Sequence, residues 1–405
     1  MPLRHLRWVW LSEYAFRLPP SLVLRGAYPQ NRSHRRRAAG AHDGPAAINL
    51  GISLSILCES DDVSSSFAVA NAPVGDYKDP ETVMAFARTV DAVTFDHEHV
   101  PQEILRALED EGIAVRPGPD ALRHAQDKLV MRAAVERLGE PNPAWASAES
   151  VDEILAFGDA NGWPIIAKTP RGGYDGKGVR VLRRDEVGTV TAWLDNGAIL
   201  LEEKVDFARE LSVLVARRPS GDVAAWPVAH TIQVDGVCDE VIVPAPELDP
   251  AVASAATATA IKLAGELGVT GVLAVELFET PGRGPGYLIN ELAMRPHNTG
   301  HWSQNGSVTS QFEQHLRAVL DWPLGDPSPL AGPTVMKNYL GGPNQDLHDA
   351  FPAALAADPG VKVHMYGKSV RPGRKIGHVN VVGAPGADVD LLRSRAGRVA
   401  SLIRG

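Results

Sequence analysis

The sequence predicts a mixed fold in which an α/β domain precedes a small α+β lobe and a β-rich C-terminal segment. From about residue 46, short β-rich runs alternate with helical stretches, a pattern typical of a parallel sheet. From Pro164 onward several short strands follow one another closely, which indicates the α+β lobe. A proline-rich stretch, Pro323–Pro333, then precedes the last β-rich segment.

Local patterns place the individual elements. Helices are expected over Pro80–Val90, from a cap at Asp120 through Leu138, and over Val252–Leu267, and the small-lobe strands should enclose one amphipathic helix. The expected strands are Ser53–Cys58, Ala92–Phe95, Ile165–Lys168, Val179–Leu182, Ile199–Glu203, Glu210–Val215, Gly271–Phe278 and Tyr287–Leu292. The resulting segments are 1–45, which is atypical, 46–119, 120–322 with the small lobe at about 145–205, and 334–400.

Composition excludes several functional classes. The chain has 405 residues, of which 44% are hydrophobic and 22% charged, and no apolar run is long enough to span a bilayer. Its net charge of -9 gives no general electrostatic footprint for nucleic acid. Cys58 and Cys238 lie far apart and outside any metal-ligand spacing, which fits a reducing compartment. We therefore expect a cytoplasmic protein that binds neither nucleic acid nor membrane.

A glycine-rich stretch between two expected strands is the strongest local signal. Lys168 ends one strand, the sequence GGYDGKG follows at residues 172–178, and Val179 begins the next strand. Backbone N–H groups in such a loop can approach phosphate oxygens closely, and Lys168 would add a fixed positive charge. The spacing fits neither a Walker loop nor a dinucleotide fingerprint. An ordinary glycine turn beside a solvated lysine is the alternative.

Carboxylates recur on the following strands. The sequence EEKV at 202–205, followed by Glu210, could bind adenine and ribose, although solvated side chains at an exposed strand end are the simpler interpretation. Glu276 and Glu291 each lie inside an apolar strand, where a buried carboxylate is costly unless it is paired or binds a metal. If these strands form a hairpin, the two carboxylates meet and favour Mg²⁺ beside phosphates. Salt bridges to residues such as Arg295 are the alternative.

Polar loops follow the carboxylate strands. The sequence MRPHNTGHW at 294–302 is dense in hydrogen-bond donors and suits a substrate-binding loop. His297 and His301 lie four residues apart, but Pro296 and Gly300 argue against one continuous helix and therefore against a zinc pair. Each histidine could equally be a structural hydrogen-bond partner. More cations follow at 366–379, where a solvated basic hairpin is the plain alternative.

Taken in this order, the motifs resemble the ATP-grasp superfamily. Within it, GGYDGKG, RPHNTGHWSQNG, YGK and RPGRKIGHVN are similar to the 5-(carboxyamino)imidazole ribonucleotide synthetase family, and TFDHEHVP at 94–101 resembles its first domain. The resemblance covers roughly residues 46–383 in a consistent order. It implies a three-lobed ATP-grasp fold with a Rossmann-like N-terminal domain and a β-rich C-terminal domain. A homodimer is also suggested by the family.

The resemblance implies ATP and Mg²⁺ as cofactors, with two Mg²⁺ ions possible. It also implies roles for individual residues. The implied ATP-binding residues are Lys128, Lys168, Gly173, Tyr174, Asp175, Gly176, Lys177, Gly178, Val179, Glu202, Glu203, Lys204, Val205, Glu210, His230, Asn290 and Glu291. The implied Mg²⁺ ligands are Glu276 and Glu291. The implied ribonucleotide contacts are Tyr174, Asp175, His297, Asn298, His301, Lys368, Arg374 and Lys375, and the implied catalytic residues are Lys168, Tyr174, Asp175 and Arg295.

The implied reaction is phosphoryl transfer from ATP to bicarbonate, which gives carboxyphosphate. The exocyclic amine of 5-aminoimidazole ribonucleotide then captures the carboxyl group, or CO₂ released from that intermediate. Because carboxyphosphate is labile in water, a closing glycine loop that excludes water would be required. No nucleophilic side chain is needed, which agrees with the lack of such a pattern. Another ATP-grasp ligase, of the formate-dependent glycinamide ribonucleotide transformylase type, and a catalytically impaired nucleotide-binding homologue are the alternatives.

The first 45 residues depart from the resemblance. The family opens with a strand and a loop close to GGGQLARM, whereas this chain has a basic, acid-poor segment with Arg32 and Arg35–Arg37. A transit peptide and a disordered basic arm are two interpretations. A third comes from the genetic code, because codons for Arg35–Asp43 read one base later permit GGGQLARM followed by Met or Thr. On this hypothesis the segment is out of frame, the first strand and phosphate loop are missing, and ribonucleotide binding is weak.

Overall fold

The computed structural model describes residues 21–26, 39–60, 69–172 and 178–405. Its helices are α1 (Ala39–Leu50), α2 (Pro80–Ala87), α3 (Gln102–Asp110), α4 (Pro119–Gln126), α5 (Lys128–Arg137), α6 (Val151–Asn161), α7 (Thr191–Leu194), α8 (Pro250–Glu266), α9 (Ser303–Gly306), α10 (Gln311–Val319), α11 (Phe351–Ala357) and α12 (Val389–Arg404). Across the described ranges, none of the helices has the length and apolar character that a membrane span requires.

The strands lie in three sheets. They are β1 (Ser21–Gly26), β2 (Ser53–Cys58), β3 (Ala92–Val93), β4 (Ala114–Val115), β5 (Trp145–Ala148), β6 (Ile165–Lys168), β7 (Val179–Leu182), β8 (Ile199–Glu203), β9 (Arg209–Arg217), β10 (Val223–Ala225), β11 (Ala229–Val234), β12 (Val237–Val243), β13 (Gly271–Glu279), β14 (Tyr287–Ala293), β15 (Thr334–Leu340), β16 (Lys362–Met365) and β17 (Lys375–Val382).

The N-terminal sheet is parallel, in the order β2-β1-β3-β4. The small lobe is the antiparallel sheet β5-β8-β6-β7. The largest sheet runs β14-β13-β9-β11-β12-β15-β17-β16, with β10 beside β9. Because β12 pairs with β15, the C-terminal strands continue the central sheet beyond the proline-rich stretch.

Apolar faces of helices cover these sheets. Along α12, Leu392, Ala396, Val399 and Ile403 recur every three or four residues and pack in one buried cluster with strands β15 and β17. A larger cluster joins the N-terminal domain, α5, α8 and the central sheet. The hydrophobic effect therefore fixes the N-terminal domain directly against the sheet that carries the candidate site.

The long helix expected from Asp120 to Leu138 is instead two helices, α4 and α5. Asp127 separates them, because its backbone is extended and its carboxylate accepts hydrogen bonds from Leu129 N (3.0 Å) and Val130 N (3.3 Å). Such a cap satisfies N–H groups that the start of a helix leaves without partners. Asp120 does not cap the helix as expected, because α4 begins at Pro119 and Gly118 is the capping residue. The break makes Lys128 the first residue of α5.

The other elements differ from expectation in smaller ways. The expected strand Ala92–Phe95 is only two residues long, and α2 ends at Ala87 instead of Val90. The main helix of the small lobe, α6, precedes the expected strands, whereas α7 and a 3₁₀ turn lie between β7 and β8. The remaining expected strands are present with ends shifted by at most two residues.

The out-of-frame hypothesis implies that the first strand is missing, whereas the described part of residues 1–45 contains a strand and the start of a helix. Strand β1 lies between β2 and β3 and is parallel to both. Helix α1 starts at Ala39 and continues through the expected boundary at residue 45. Residues 1–20 and 27–38, which include Arg32 and Arg35–Arg37, lie outside the described residues.

The beginning of α1 fits its surroundings poorly. Asp43 is completely buried, and neither of its carboxylate oxygens has a hydrogen-bond partner among the described residues. Burial, and then the nearby Asp96, raise the pKa of Asp43 well above its usual value. Pro45 lies inside the helix, where it has no N–H to donate. Met or Thr at position 43, as the shifted reading frame permits, would remove the buried carboxyl group.

We predict that Asp43→Asn stabilises the protein, and more so at high pH. The unfolded carboxyl group ionises near pH 4 whereas the raised pKa keeps the folded one protonated, so this group costs stability as the pH rises. Urea unfolding should show a gain of about 1–3 kcal/mol at pH 8 and a smaller gain at pH 5. The exposed Asp110→Asn is the control. Equal gains at both pH values would contradict this prediction.

Candidate active site

A cavity of about 530 Å³ is lined by the small lobe, the central sheet and the start of α5. It brings together residues that are distant in the sequence. The expected site residues that line it are Lys128, Lys168, Val179, Glu202, Glu203, Lys204, Val205, Glu210, Glu276, Asn290, Glu291, Arg295, His297, Asn298 and Lys375.

Two lysines lie next to the glycine-rich stretch. The Nζ of Lys128 is 3.2 Å from the carbonyl oxygen of Gly172 and 3.4 Å from Oε1 of Glu291. The Nζ of Lys168, at the end of β6, is 2.7 Å from Oε2 of Glu202 and 3.5 Å from Oδ1 of Asn290. Both ammonium groups thus lie beside the carboxylate strand β14. Gly173, Tyr174, Asp175, Gly176 and Lys177 lie outside the described residues.

The two carboxylates in apolar strands do meet. Glu276 and Glu291 are direct cross-strand partners in the β13–β14 hairpin. The register shifts between Glu276 and Leu277, and this bulge allows the consecutive residues Asn290 and Glu291 both to line the cavity. Burial, followed by the charges of Glu291 and Glu210, raises the pKa of Glu276 well above its usual value.

This donor set fits a divalent cation that also binds phosphate. Glu276, Glu291 and the amide of Asn290 offer hard oxygen ligands beside the two lysines. In the described part of the chain, no group of three or more His, Cys, Asp or Glu side chains could hold a metal alone. A nucleotide would therefore have to complete the coordination. Arg295, the alternative partner of these carboxylates, has its Nε 2.7 Å from Oε1 of Glu98, and its charge partly offsets the rise in the pKa of Glu276.

His297 contacts one member of the carboxylate pair, Glu276. Its Nε2 is 3.3 Å from Oε1 of Glu276, and its Nδ1 is 2.9 Å from the hydroxyl of Thr299. Burial, and then Arg295 and Lys375, lower the pKa of His297 well below its usual value. The imidazole is therefore neutral at physiological pH and can exchange hydrogen bonds with a substrate.

Five expected site residues that the structure describes do not line the cavity. They are Gly178, His230, His301, Lys368 and Arg374. Gln233, three residues after His230 on β11, lines the cavity and hydrogen-bonds Glu210, and the ATP-site role of His230 stays a prediction. His301 is buried, its ring centre lies 5.1 Å from that of His378, and its Nδ1 accepts a hydrogen bond from Nε2 of Gln311 (2.9 Å), which agrees with a structural hydrogen-bond partner.

The two C-terminal cations make local contacts instead. The Nζ of Lys368 lies 5.0 Å from the centre of the Tyr366 ring. Nη1 of Arg374 donates hydrogen bonds to the hydroxyl of Ser369 (2.8 Å) and to its carbonyl oxygen (3.3 Å). Lys375, the first residue of β17, lines the cavity.

Sequence reasoning missed several residues of the cavity wall. Phe207 and Phe278 stack with ring centres 4.6 Å apart and give the cavity an aromatic surface close to Val205. Glu98 and Gln126 reach it from the N-terminal domain and α4. Phe207 lies between EEKV and Glu210, and this position in the sequence could have indicated that it lines the cavity. The other contacts depend on the tertiary fold and have no signal in the sequence.

Comparison with known families identifies each part of the chain. A model of the ribonucleotide synthetase preATP-grasp domain matches residues 45–126. The ATP-grasp domain matches residues 133–312, and the phosphoribosylaminoimidazole carboxylase C-terminal domain matches residues 334–390. These matches confirm the predicted ATP-grasp fold, and the first matched residue is 45.

Curated relatives and solved structures agree with the family matches. The N5-carboxyaminoimidazole ribonucleotide synthase of Mycobacterium bovis is 49% identical over 359 residues, which span 87% of this chain and 82% of the relative. That of Corynebacterium ammoniagenes is 49% identical over 84% of each chain. The solved structure of the Thermus thermophilus N5-carboxyaminoimidazole ribonucleotide synthetase is 31% identical to this chain. The match covers 95% of this chain and 99% of that structure, with a TM-score of 0.82. The Aspergillus clavatus structure with ADP and 5-aminoimidazole ribonucleotide is 26% identical over 95% of this chain and 99% of its own, with a TM-score of 0.83.

We predict that Glu276→Gln stabilises the ligand-free protein but weakens divalent-cation binding. The variant removes one of two like charges, and because the folded pKa is raised, the gain in stability should be larger at pH 8 than at pH 5. Thermal unfolding with ADP and increasing MgCl₂ should give a cation affinity at least about 10-fold lower than that of the unchanged protein. The exposed Glu136→Gln is the control. Unchanged cation affinity in Glu276→Gln would refute the assignment.

Proposed function

The chain belongs to the N5-carboxyaminoimidazole ribonucleotide synthase family, and from this premise we propose that it carboxylates 5-aminoimidazole ribonucleotide with bicarbonate and ATP. The products are 5-(carboxyamino)imidazole ribonucleotide, ADP and phosphate, and the reaction belongs to de novo purine biosynthesis. The observation that carries the proposal is one cavity in which the Glu276–Glu291 pair faces two lysines at one end and Arg295 and His297 follow on the next loop.

The nucleotide end of the cavity has the groups that ATP requires. Lys128 and Lys168 supply positive charge for the phosphates, and the strand end Glu202–Val205 offers backbone groups for the adenine edge. Burial raises the pKa of Glu210, which a ribose hydroxyl could contact as a hydrogen-bond partner. Residues 173–178 are proposed to close over the phosphates and exclude water.

Mg²⁺ is proposed to bind with the nucleotide, held by Glu276 and Glu291 with Asn290 alongside, and two ions are possible. When bound, it supplies neutralising charge to the phosphoryl group in transfer. The side chains of this chain do the rest. Lys168 orients the phosphates, and Arg295, held by Glu98, presents its guanidinium to the bicarbonate-derived carboxyl group.

Two covalent steps complete the proposed chemistry. A bicarbonate oxygen attacks the γ-phosphorus of ATP, the bond to the ADP oxygen breaks, and carboxyphosphate forms. The exocyclic amine of the ribonucleotide then attacks the carboxyl carbon of carboxyphosphate and displaces phosphate, or it attacks CO₂ after carboxyphosphate has broken down to CO₂ and phosphate. In either case the amine loses a proton. His297 is neutral and lies beside Glu276, so it is placed to hydrogen-bond the ribonucleotide during this step. Asn298, Lys375, Lys368 and Arg374, with Tyr174 and Asp175, stay predicted ribonucleotide contacts.

A homodimeric state and a cytoplasmic location also stay predictions. Another ATP-grasp ligase, of the formate-dependent transformylase type, is disfavoured because the Mycobacterium bovis and Corynebacterium ammoniagenes relatives and the Thermus thermophilus structure all carry the carboxyaminoimidazole ribonucleotide name.

A coupled assay of ADP formation tests the proposed reaction. We expect ADP release only when ATP, bicarbonate and 5-aminoimidazole ribonucleotide are all present, and we expect Lys168→Met to reduce kcat/KM by about 100-fold or more, because charge stabilisation of the phosphates is lost. The exposed Lys362→Met is the control. ADP release with formate and glycinamide ribonucleotide in place of these substrates would support the alternative ligase instead.

The N-terminal segment leads to a second prediction, about affinity. If the residues before 45 are out of frame, the phosphate loop of the first domain is absent. KM for the ribonucleotide should then be about 10-fold or more above that of a chain in which GGGQLARM replaces residues 35–42. KM for ATP should be equal in both. The gene sequence decides the premise, since codons that cannot spell the motif one base later would refute it.

A further inference from the structure

We propose that Arg132, on α5, is a positioning residue that keeps the charge of Lys168 available to the nucleotide phosphates. The inference deepens the proposed function and rests on it, because it assigns a role within the same site to a residue that no sequence motif singled out. It is carried by the contacts of one completely buried guanidinium group.

Arg132 joins three parts of the site. Its side chain has 0% exposure, and its Nε donates to Oε1 of Glu202 at 2.6 Å. Nη1 donates to the carbonyl oxygen of Ile289 (2.7 Å) and to Oδ1 of Asn142 (3.0 Å). Nη2 donates to the carbonyl oxygen of Asn290 (2.8 Å). The guanidinium thus links β8 of the small lobe to the strand that carries Asn290 and Glu291.

The charges of this cluster explain why an arginine is needed. Glu202, with 4% of its side chain exposed, contacts Arg132 through one oxygen and Lys168 through the other, at 2.7 Å. Burial alone would raise the pKa of Glu202, but Lys168 and Arg132 outweigh it and lower the pKa. The carboxylate is therefore ionised and shared between two cations, and the three groups together carry a net charge of +1.

Without Arg132, the balance changes. Glu202 and Lys168 would form a closed pair with no net charge, and the ammonium group would have to leave a buried carboxylate before it could contact a phosphate. Breaking a buried ion pair in this way is costly, because it leaves an uncompensated charge. Arg132 takes up one carboxylate oxygen permanently, so Lys168 can turn to the phosphates at little cost.

The geometry also ties the lysine to the metal-binding strand. Arg132 holds the backbone carbonyls of Ile289 and Asn290, at the bulge that brings Asn290 and Glu291 to the cavity. The same guanidinium holds Glu202, which contacts Lys168. Five N–H donors in one plane allow this, and a lysine at position 132 could not make all four contacts.

A comparison of two ligands separates this role from a general structural one. We expect Arg132→Met to weaken ADP binding by about 10-fold or more while adenosine, which has no phosphates, loses about 2-fold or less. Affinities are measured by competition binding in MgCl₂, after circular dichroism shows that the variant is folded. Arg137→Met, on the same helix, is the matched control and should bind both ligands normally.

The double variant Arg132→Met/Glu202→Gln gives the sharpest outcome. It removes both partners of the ion pair, restores the net charge of +1 on Lys168, and leaves no isolated carboxylate, so it should fold even if Arg132→Met does not. We expect the ratio of ADP affinity to adenosine affinity to return to within about 3-fold of that of Glu202→Gln alone. Arg132→Lys should recover part of the ratio.

The outcomes also distinguish this proposal from the proposed function. Equal losses of ADP and adenosine in Arg132→Met, or no recovery of the ratio in the double variant, would overturn the role of Arg132 while leaving the reaction intact. An unchanged chain that binds ADP but forms none from ATP with bicarbonate and ribonucleotide would overturn the reaction, and the affinity ratios would still decide the role of Arg132.

Discussion

The register of β13 against β14 is the constraint on which the site depends. It sets Glu276 opposite Glu291, and the bulge beside Glu276 adds Asn290 to the same cavity. A slip of one residue would turn these side chains to the other side of the sheet, where apolar residues pack against α8. Two carboxylates so close together repel each other, and we propose that a bound cation offsets this cost.

The N-terminal domain contributes to this site although its first residues are unusual. Glu98 reaches the cavity and holds Arg295, so the TFDHEHVP segment contacts the loop that follows β14. Strand β1 completes the parallel sheet, yet Asp43 is buried without hydrogen-bond partners among the described residues, and Pro45 interrupts the hydrogen bonding of α1. The buried carboxyl group of Asp43, together with family similarity that begins at residue 45, supports the hypothesis of a change of reading frame at this point.

The sequence predicted the parts of the site whose signal is local. A lysine before a glycine run suits phosphate binding, and an acidic residue inside an apolar strand is costly unless it is paired or binds a metal. Lys168, Glu276 and Glu291 do meet in one cavity. Contacts between distant segments could not be predicted in this way. In the sequence Arg132 resembles any other arginine on a helix, and its role becomes visible only when α5 packs against β14. Which of His230 and Gln233 lines the cavity depends on how β11 pairs with its neighbours. Asp127 was overlooked because apolar spacing continues across it, although its side chain can cap a helix.

The central claim is that a divalent ion held by Glu276 and Glu291 meets the nucleotide phosphates beside Lys168. Electron spin resonance of Mn²⁺, used in place of Mg²⁺ with ADP, measures this contact directly through coupling between the metal and the phosphorus nuclei. We expect phosphorus coupling in the unchanged protein and a marked loss of protein-bound Mn²⁺ in Glu291→Gln. Protein-bound Mn²⁺ with no phosphorus coupling, or a spectrum that Glu291→Gln leaves unaltered, would contradict the account.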